Sequence, residues 1–512
     1  MSYAQNPARE NQRAPTRVWA SFRYALSSPA RLRTEVLGGL VVALALIPEA
    51  ISFSVLAGVD PRMGLFASVT MAITIAFTGG RPAMISAATG AVAVVIAPLV
   101  ASYGTDYLIS CILLAGVFQI LLALAGVAKL MRFIPRSVMV GFINSLAIIV
   151  FSGQIPHLIG VPWLVYPLVA VGILIVIYFP RLTSVIPSPL IAIAVLTPVV
   201  ILMHWDIPNV ADQGKLPDAL PSPMLPDVPL TVHTLQIIAP YALAVALVGL
   251  MESLLTAKLV DDITDVHSDK THEGWGQGCA NIVTALFGGM GGCAMIGQTL
   301  INTRESGART RLSTLLAGVF LLILVVSLGD IVGLIPMAAL TAVMIMVAVN
   351  SFDWHSVSPS TLKRMPLSEN LVMFITIAGT LFTHNLAIGV TIGVLSAMVV
   401  FARRVSHLVY VEDVSASELP ESERRHTKKY RVSGQLFFAS SNDLVYAFDY
   451  STDPENIIID LSDAEIWDAS TVATLDAITQ KYADRNKTVT ISGVEGRSKQ
   501  RFDRLHGHFP SD

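Results

Sequence analysis

Charged side chains are scarce in this chain: Asp, Glu, Lys and Arg make up only 14% of its 512 residues, against 53% hydrophobic, and the mean hydropathy is +0.63. A soluble fold of that length could not cover so apolar a composition, so the chain is read as a polytopic membrane protein. With 34 basic and 37 acidic residues it has no basic surplus, and nucleic acid is excluded as a partner. Cysteine is almost missing. Cys111, Cys279 and Cys293 are odd in number and sit in apolar segments, so they read as small buried residues and not as a disulfide framework or metal ligands. Residues 1–35 lack an apolar run and carry six arginines (Arg9, Arg13, Arg17, Arg23, Arg31, Arg33), so no cleavable signal is expected and this segment should stay in the cytosol. No phosphate-binding loop and no convergent nucleophile, base and orienting residue is present, so an enzyme is not expected and no cofactor is implied.

What is present is apolar sequence in blocks. Fourteen can be drawn, over 36–58, 63–79, 84–101, 106–127, 137–152, 163–180, 186–204, 237–260, 274–290, 294–303, 312–329, 333–350, 368–384 and 386–402. Several are shorter than the ~20 residues of a full crossing and read as broken or half helices. Between residues 34 and 402 there are fourteen Lys or Arg. With a cytosolic N-terminus, twelve of them (Arg81, Lys129, Arg132, Arg136, Arg181, Lys258, Lys270, Arg304, Arg309, Arg311, Lys363, Arg364) fall on the cytosolic side, and only Arg62 and Lys215 fall outside. The Pro-rich stretch 205–236, with Asp206, Asp212, Asp218 and Asp227, suits an external loop. Splitting fourteen crossings there gives seven and seven, so the second half enters the bilayer inverted relative to the first.

Two acidic residues, Glu49 and Glu252, lie inside apolar blocks, and each is followed about 35 to 45 residues later by Gly-Gly and then Ala-Met-Ile: Gly79, Gly80, Ala83, Met84, Ile85 in one half and Gly291, Gly292, Ala294, Met295, Ile296 in the other. A carboxylate at membrane depth is costly and is a functional-site hypothesis by default. In inverted repeats the substrate sits near the midplane, where paired discontinuous helices turn their N-terminal amides toward an anion. The plainer explanations are carboxylates satisfied by a neighbouring hydroxyl, and Gly and Ala repeated because helices pack closely on them. The acidic and histidine cluster Asp261, Asp262, Asp265, His267, Asp269, His272 lacks metal-site spacing and reads as solvated helix-end charge.

After Arg403 and Arg404 the composition turns polar. The expected organisation is a cytosolic segment at 1–35, a transmembrane domain at 36–402, a linker at 403–427 and a small α/β domain at 428–512. That last domain is read as strands near Tyr430–Phe438, Ile457–Leu461 and Val489–Ser492, with helices near Asn442–Tyr450, Ser470–Ala483 and Arg497–Leu505.

The run Pro48, Glu49, Ala50, Ile51, Ser52, Phe53, then Leu56, Ala57, Gly58, Val59, Asp60, Pro61 and Gly64, Leu65, Phe66, Ala67, Ser68, resembles the first-helix signature of the SulP sulfate-permease family. Ile459, Asp460, Leu461, Ser462 with Asp468, Ala469, Ser470 resembles the core of a STAS domain, the usual appendage of that family. The resemblance implies an α-helical polytopic membrane protein of fourteen segments in a seven-plus-seven inverted repeat, with core and gate domains and a cytosolic STAS domain. Such a protein is a secondary transporter of small anions (sulfate, bicarbonate or dicarboxylate) with an elevator-like cycle. It lies in the bacterial inner membrane, often as a homodimer, with lipid around it, both termini cytosolic and an unknown partner for the STAS domain.

Carried over by position, the anion site falls on Phe53, on Ala88, Thr89, Gly90 and Ala91 opening the third segment, and on Gly297, Gln298 and Thr299 opening the tenth. Two departures bear on coupling. Glu49 stands where the family usually has Gln, and Gln298 where animal members place Arg, so the pocket loses a fixed positive charge and gains a carboxylate. Symport of a proton carried on Glu49 or Glu252 is the leading expectation. Glu252 and Thr256, one helical turn apart, leave open a sodium-coupled bicarbonate carrier. An uncoupled channel or sensor acting through the STAS domain, and a nucleobase carrier of the same fold, are also compatible with these residues. Ser470 occupies the position of a regulatory phosphoserine in some STAS proteins, but the Gly of that motif is missing here and a helix N-cap is the expected role.

Overall fold

The computed structural model describes residues 15–127, 134–182, 188–214, 220–229, 231–383, 385–406 and 409–507. The topology assignments of Arg9, Arg13, Lys129, Arg132, Lys215 and Asp218 lie outside the described residues.

A helix occupies every apolar block. In chain order they are α1 Val18–Leu26, α2 Pro29–Ala57, α3 Pro61–Thr78, α4 Gly90–Tyr103, α5 Thr105–Leu124, α6 Arg136–Ser152, α7 Val165–Tyr178, α8 Ser188–Leu202, α9 Val232–Thr264 and α10 Lys270–Leu286. Then come α11 Ile296–Leu300, which continues as a π-helical turn to Glu305, α12 Arg311–Gly333, α13 Met337–Ser351, the short α14 Pro359–Arg364, α15 Leu367–Thr383 and α16 Leu386–Ser406. Among the described residues six helices are long and apolar enough to cross a membrane, and six more apolar helices are shorter.

The ends follow local chemistry. Pro29 and Pro61 open α2 and α3 at positions where a missing N–H costs nothing, and Gly58 closes α2 at φ 73°, the left-handed backbone that glycine adopts freely. Asp269 caps α10 by accepting from the N–H groups of Thr271 and His272.

These helices pack in two groups. In the first, α10 lies along α5 and α3, α12 along α2 and α3, and α9 along α5. In the second, α15 packs on α6, α13 on α7 and α6, and α8 on α7. Small residues permit the closest approach: a β-carbon on Gly116 of α5 would lie 2.6 Å from the Gly278 carbonyl of α10, and one on Gly278 would lie 2.6 Å from the Gly116 carbonyl. The first group is the core expected from the resemblance and the second the gate.

The chain divides into two compact units, Met1–Val394 and Leu395–Asp512. The second contains a four-stranded sheet in the order β3–β4–β5–β6, formed by Tyr410–Asp413, Thr427–Leu436, Asn456–Ile466 and Thr488–Ser492. β3 is antiparallel to β4, and the other pairs are parallel. Around it lie α17 Ser415–Glu418, α18 Phe438–Leu444, α19 Ala469–Ala483 and α20 Gly496–Leu505. Its own core holds Val432, Leu436, Ile459, Leu461, Leu475 and Ile478.

Two details differ from expectation. β3 falls inside the segment read as a linker, where Glu412 and Asp413 disguise an edge strand that tolerates charge. The helix expected over Asn442–Tyr450 is α18, ending at Leu444. Asp449 accepts from the N–H and hydroxyl groups of Ser451 and Thr452 and holds a turn there instead.

Candidate functional site

Two very short strands cross at the centre of the first unit. β1, Ser86–Ala87, precedes α4, and β2, Cys293–Ala294, precedes α11, and they pair antiparallel with Ser86 opposite Ala294 and Ala87 opposite Cys293. The pairing aims two helix starts from opposite halves of the sequence at one place. Gly292 is required there, because a β-carbon would lie 2.0 Å from the Ala87 carbonyl oxygen. The backbone turns into the crossing through left-handed conformations at Ala83 (φ 61°) and Gly291 (φ 79°). The two Ala-Met-Ile strings are out of structural register: the first ends before β1, whereas the second runs through β2 into α11.

One face of α10 holds both approaches. Glu273, Gln277 and Asn281, spaced four apart, are all fully buried. Glu273 accepts from the N–H groups of Gly80 (2.8 Å) and Arg81 (2.9 Å). Gln277 donates to the Ser86 hydroxyl on β1 (2.7 Å) and to Glu273 (2.8 Å). Asn281 accepts from the Gly292 N–H (2.9 Å) and donates to its carbonyl (3.0 Å). Sequence reasoning missed this stripe. The available signal was a polar residue every four positions, starting one residue before the apolar block 274–290.

At the start of α4, Thr89 is the N-cap and accepts from the Val92 N–H. The amides of Gly90 and Ala91 belong to the first turn, where no preceding helical carbonyl reaches them. Phe53 of α2 covers Gly90, and a β-carbon on that glycine would lie 2.9 Å from the ring and 3.3 Å from Val150 of α6. The Ala88 N–H is spent on the Ser68 hydroxyl (3.2 Å), and Ala91 is buried; as alanines, neither has a side-chain donor.

At the start of α11, Gly297 is exposed and faces open space, with nothing within 4 Å of an added β-carbon. Beside it Gln298 is buried and donates through Nε2 to Oε1 of Glu49 at 2.9 Å, a link from the second half to α2. Thr299 is used otherwise. Its Oγ1 accepts from the Ile85 N–H (3.0 Å) and donates to the Ile85 carbonyl (3.5 Å), fastening α11 to the approach of β1.

Glu252 of α9 accepts from the thiol of Cys293 (2.9 Å), whose sulfur lies 3.2 Å from the Thr89 hydroxyl. Neighbouring Ser253 accepts from the Ala294 N–H (3.1 Å). Thr256 donates back to the Glu252 carbonyl (2.8 Å), so its hydroxyl and the Glu252 carboxylate are not brought together.

The structure thus gathers Phe53, Thr89, Gly90, Gly297, Gln298, Glu49 and Glu252 around the crossing. Cys293, which sequence reading treated as filler, joins Glu252 to Thr89. The buried arginines are engaged elsewhere: Arg81 with Asp261 (3.2 Å) and the Val266 carbonyl, and Arg311 with the carbonyls of Ala76 and Gly79.

Ser470 belongs to the second unit. It is exposed in the first turn of α19, and the N-cap is Asp468, which accepts from the Thr471 N–H (3.0 Å). The N-cap role expected of Ser470 is therefore corrected: a carboxylate two residues earlier already satisfies the amide.

The profile of the Sulfate permease family matches residues 32–166 and 161–376, and that of the STAS domain matches residues 420–509. The chain is 48% identical over 468 residues to YbaR of Bacillus subtilis (strain 168), a protein whose name proposes sulfate transport, covering 91% of this chain and 96% of that one. It is 24% identical over 527 residues to the bicarbonate transporter BicA of Picosynechococcus sp., covering 93% and 91% respectively. Among solved structures, the murine Slc26a9 anion transporter in its inward-facing state matches with a TM-score of 0.79 at 16% identity, over 98% of this chain and 92% of that one. The transmembrane domain of a cyanobacterial BicA matches with a TM-score of 0.62 at 24% identity, over 72% and 98%.

Proposed function

Since the chain belongs to the sulfate permease family, whose members are transporters and not enzymes, we propose that it is a secondary carrier that moves a small anion together with a proton. The observation that carries this reading is the pair of acids at the crossing. Glu49 and Glu252 each accept a hydrogen bond from one neutral side-chain donor, and among the described residues no Lys or Arg is bonded to either. A carboxylate beside an anion repels it, and a proton on the acid removes that repulsion without leaving a fixed charge behind. The anion would sit between the starts of α4 and α11, with the first-turn amides and the open face of Gly297 toward it.

On this reading the fourteen helical segments are crossings of an inverted repeat in the bacterial inner membrane, with both termini cytosolic. The core group moves against the gate group, and two copies associate. The membrane domain then runs over 36–402 and the STAS domain over 428–512, with β3 added to it from the segment before residue 428. The twelve-to-two distribution of basic residues supports the orientation.

The deciding experiment is uptake of radiolabelled sulfate, bicarbonate and a C4-dicarboxylate into proteoliposomes under an imposed pH gradient. Accumulation of at least one that collapses with the gradient is expected. Uptake of all three indifferent to the gradient counts against proton coupling. Similarity to a bicarbonate transporter supports bicarbonate as the anion, and Glu252 with Thr256 one helical turn on motivates a second reading, sodium-coupled bicarbonate entry. It requires uptake to follow a sodium gradient at fixed pH and to be lost in both Thr256→Ala and Glu252→Gln.

A further inference from the structure

Gln298 has one half of its amide engaged and the other idle. Its Nε2 donates to Glu49, while its Oε1 is buried without a hydrogen-bond partner among the described residues, in a side chain only 2% exposed. An unpaired buried carbonyl is costly, and an arrangement that leaves one is expected to have a counterpart in which it is used. That counterpart lies within reach. If Glu49 takes up a proton, its hydroxyl can donate to Oε1 after a half-turn of the amide, and the NH2 group then faces away from Glu49. Next to it are the exposed Gly297 and the open space in front of α11.

We propose that Gln298 is the relay by which a proton on Glu49 switches on an anion-binding donor. With Glu49 ionised, the amide N–H is spent on the carboxylate and the anion meets a negative charge. With Glu49 protonated, the repulsion is gone and the same N–H is released to the anion. The inference rests on the proton-coupled reading and assigns the step that links the two solutes.

The surroundings of Glu49 leave this pair to itself. The elements packed on α2 are α1, α3, α4, α8, α11 with its π turn, α12 and α13. Of these, α8, α11 and α13 carry no charged residue. α4 has only Tyr103 and α3 only Arg62, which pairs with Asp60. α1 brings Arg23 and Tyr24, the π turn Arg304 and Glu305, and α12 Arg311 and Asp330. On α2 itself, Arg31 lies over Tyr24, Arg33 is exposed, and Glu35 accepts from the Arg309 and Thr310 amides. Among the described side chains only Gln298 is bonded to Glu49.

The test is sulfate binding to the purified full-length protein in nanodiscs, measured calorimetrically over a pH series; sulfate stays a dianion throughout, so its own titration does not enter. The wild-type dissociation constant is expected to fall as pH falls and to level off at both ends. Gln298→Leu should shrink the ratio between the two plateaus by roughly tenfold, the worth of one donor to a charged acceptor, mainly by weakening binding at low pH. Gln298→Asn, too short to reach Glu49 but still polar, should do the same and guards against a misfolded leucine variant. Glu49→Gln should abolish the pH dependence.

A Gln298→Leu or Gln298→Asn protein that keeps the wild-type plateau ratio, with Glu49→Gln flat, overturns the relay and leaves proton coupling standing. A wild-type protein that carries sulfate and whose sulfate binding does not respond to pH overturns both.

Discussion

A methyl group added at Gly90 would lie 2.9 Å from the Phe53 ring and 3.3 Å from Val150, closer than packed carbons ordinarily come. Gly90→Ala is therefore expected to raise the anion KM several-fold and to cost about 1–3 kcal/mol of stability through overpacking. Trimming the neighbour should recover part of the loss. In the double variant with Phe53→Leu the two effects should be clearly less than additive, as seen by uptake kinetics and thermal melting of each protein. Additive effects would mean that the ring and the glycine do not share a site. Sequence alone led to Glu49 and Glu252 because an acid inside an apolar block needs a reason, whereas Phe53 and Gly90 came only from their positions in the family resemblance. It did not reveal Cys293, since a lone thiol reads as packing until the carboxylate 2.9 Å away is seen. Ser470 was misread for a related reason: Asp468 and Ser470 are both good caps, and only the backbone decides which stands at the helix boundary.

At the scale of elements, the apolar blocks were readable because a bilayer demands long runs without charge, and each block does contain a helix. The crossing strands were not readable. Two residues per strand are too few for alternation to register, and the repeated string that pointed to them is out of step between the halves. What fixes the crossing is largely α10, through Glu273, Gln277 and Asn281. Asn281→Ala should leave the Gly292 N–H and carbonyl unpaired, costing about 1–3 kcal/mol for each buried group, and should raise KM more than it lowers the maximal rate. Glu273→Gln keeps an acceptor for the Gly80 and Arg81 amides and should be far milder than Glu273→Ala. Uptake kinetics of the four proteins distinguish positioning from simple stability. If melting temperature falls while KM stays constant, α10 supports the fold and not the site.

Across the whole molecule, each of the two compact units has a hydrophobic core of its own. Two thermal transitions are therefore expected in calorimetry of the full chain. The smaller unit has an internal marker: Asp453 is buried and accepts from the hydroxyls of Tyr430 (2.9 Å) and Tyr482 (2.5 Å) and from Lys428 (2.8 Å). Asp453→Ala leaves three donors without their acceptor and should destabilise that unit by about 3–5 kcal/mol. It should move one transition and leave the other in place. A shift of both would show that the units unfold together.

The antiparallel contact of β1 with β2 is only two residues long on each side, yet it joins backbone from one half of the chain directly to backbone from the other. It works as a clasp. Prising the starts of α4 and α11 apart would open that clasp and also strip Thr299 from Ile85. On the proposed reading, a solute cradled there is more cheaply handed across by shifting the walls around an intact cradle than by splitting the cradle, so locking the clasp with a covalent cross-link should slow transport far less than locking the walls.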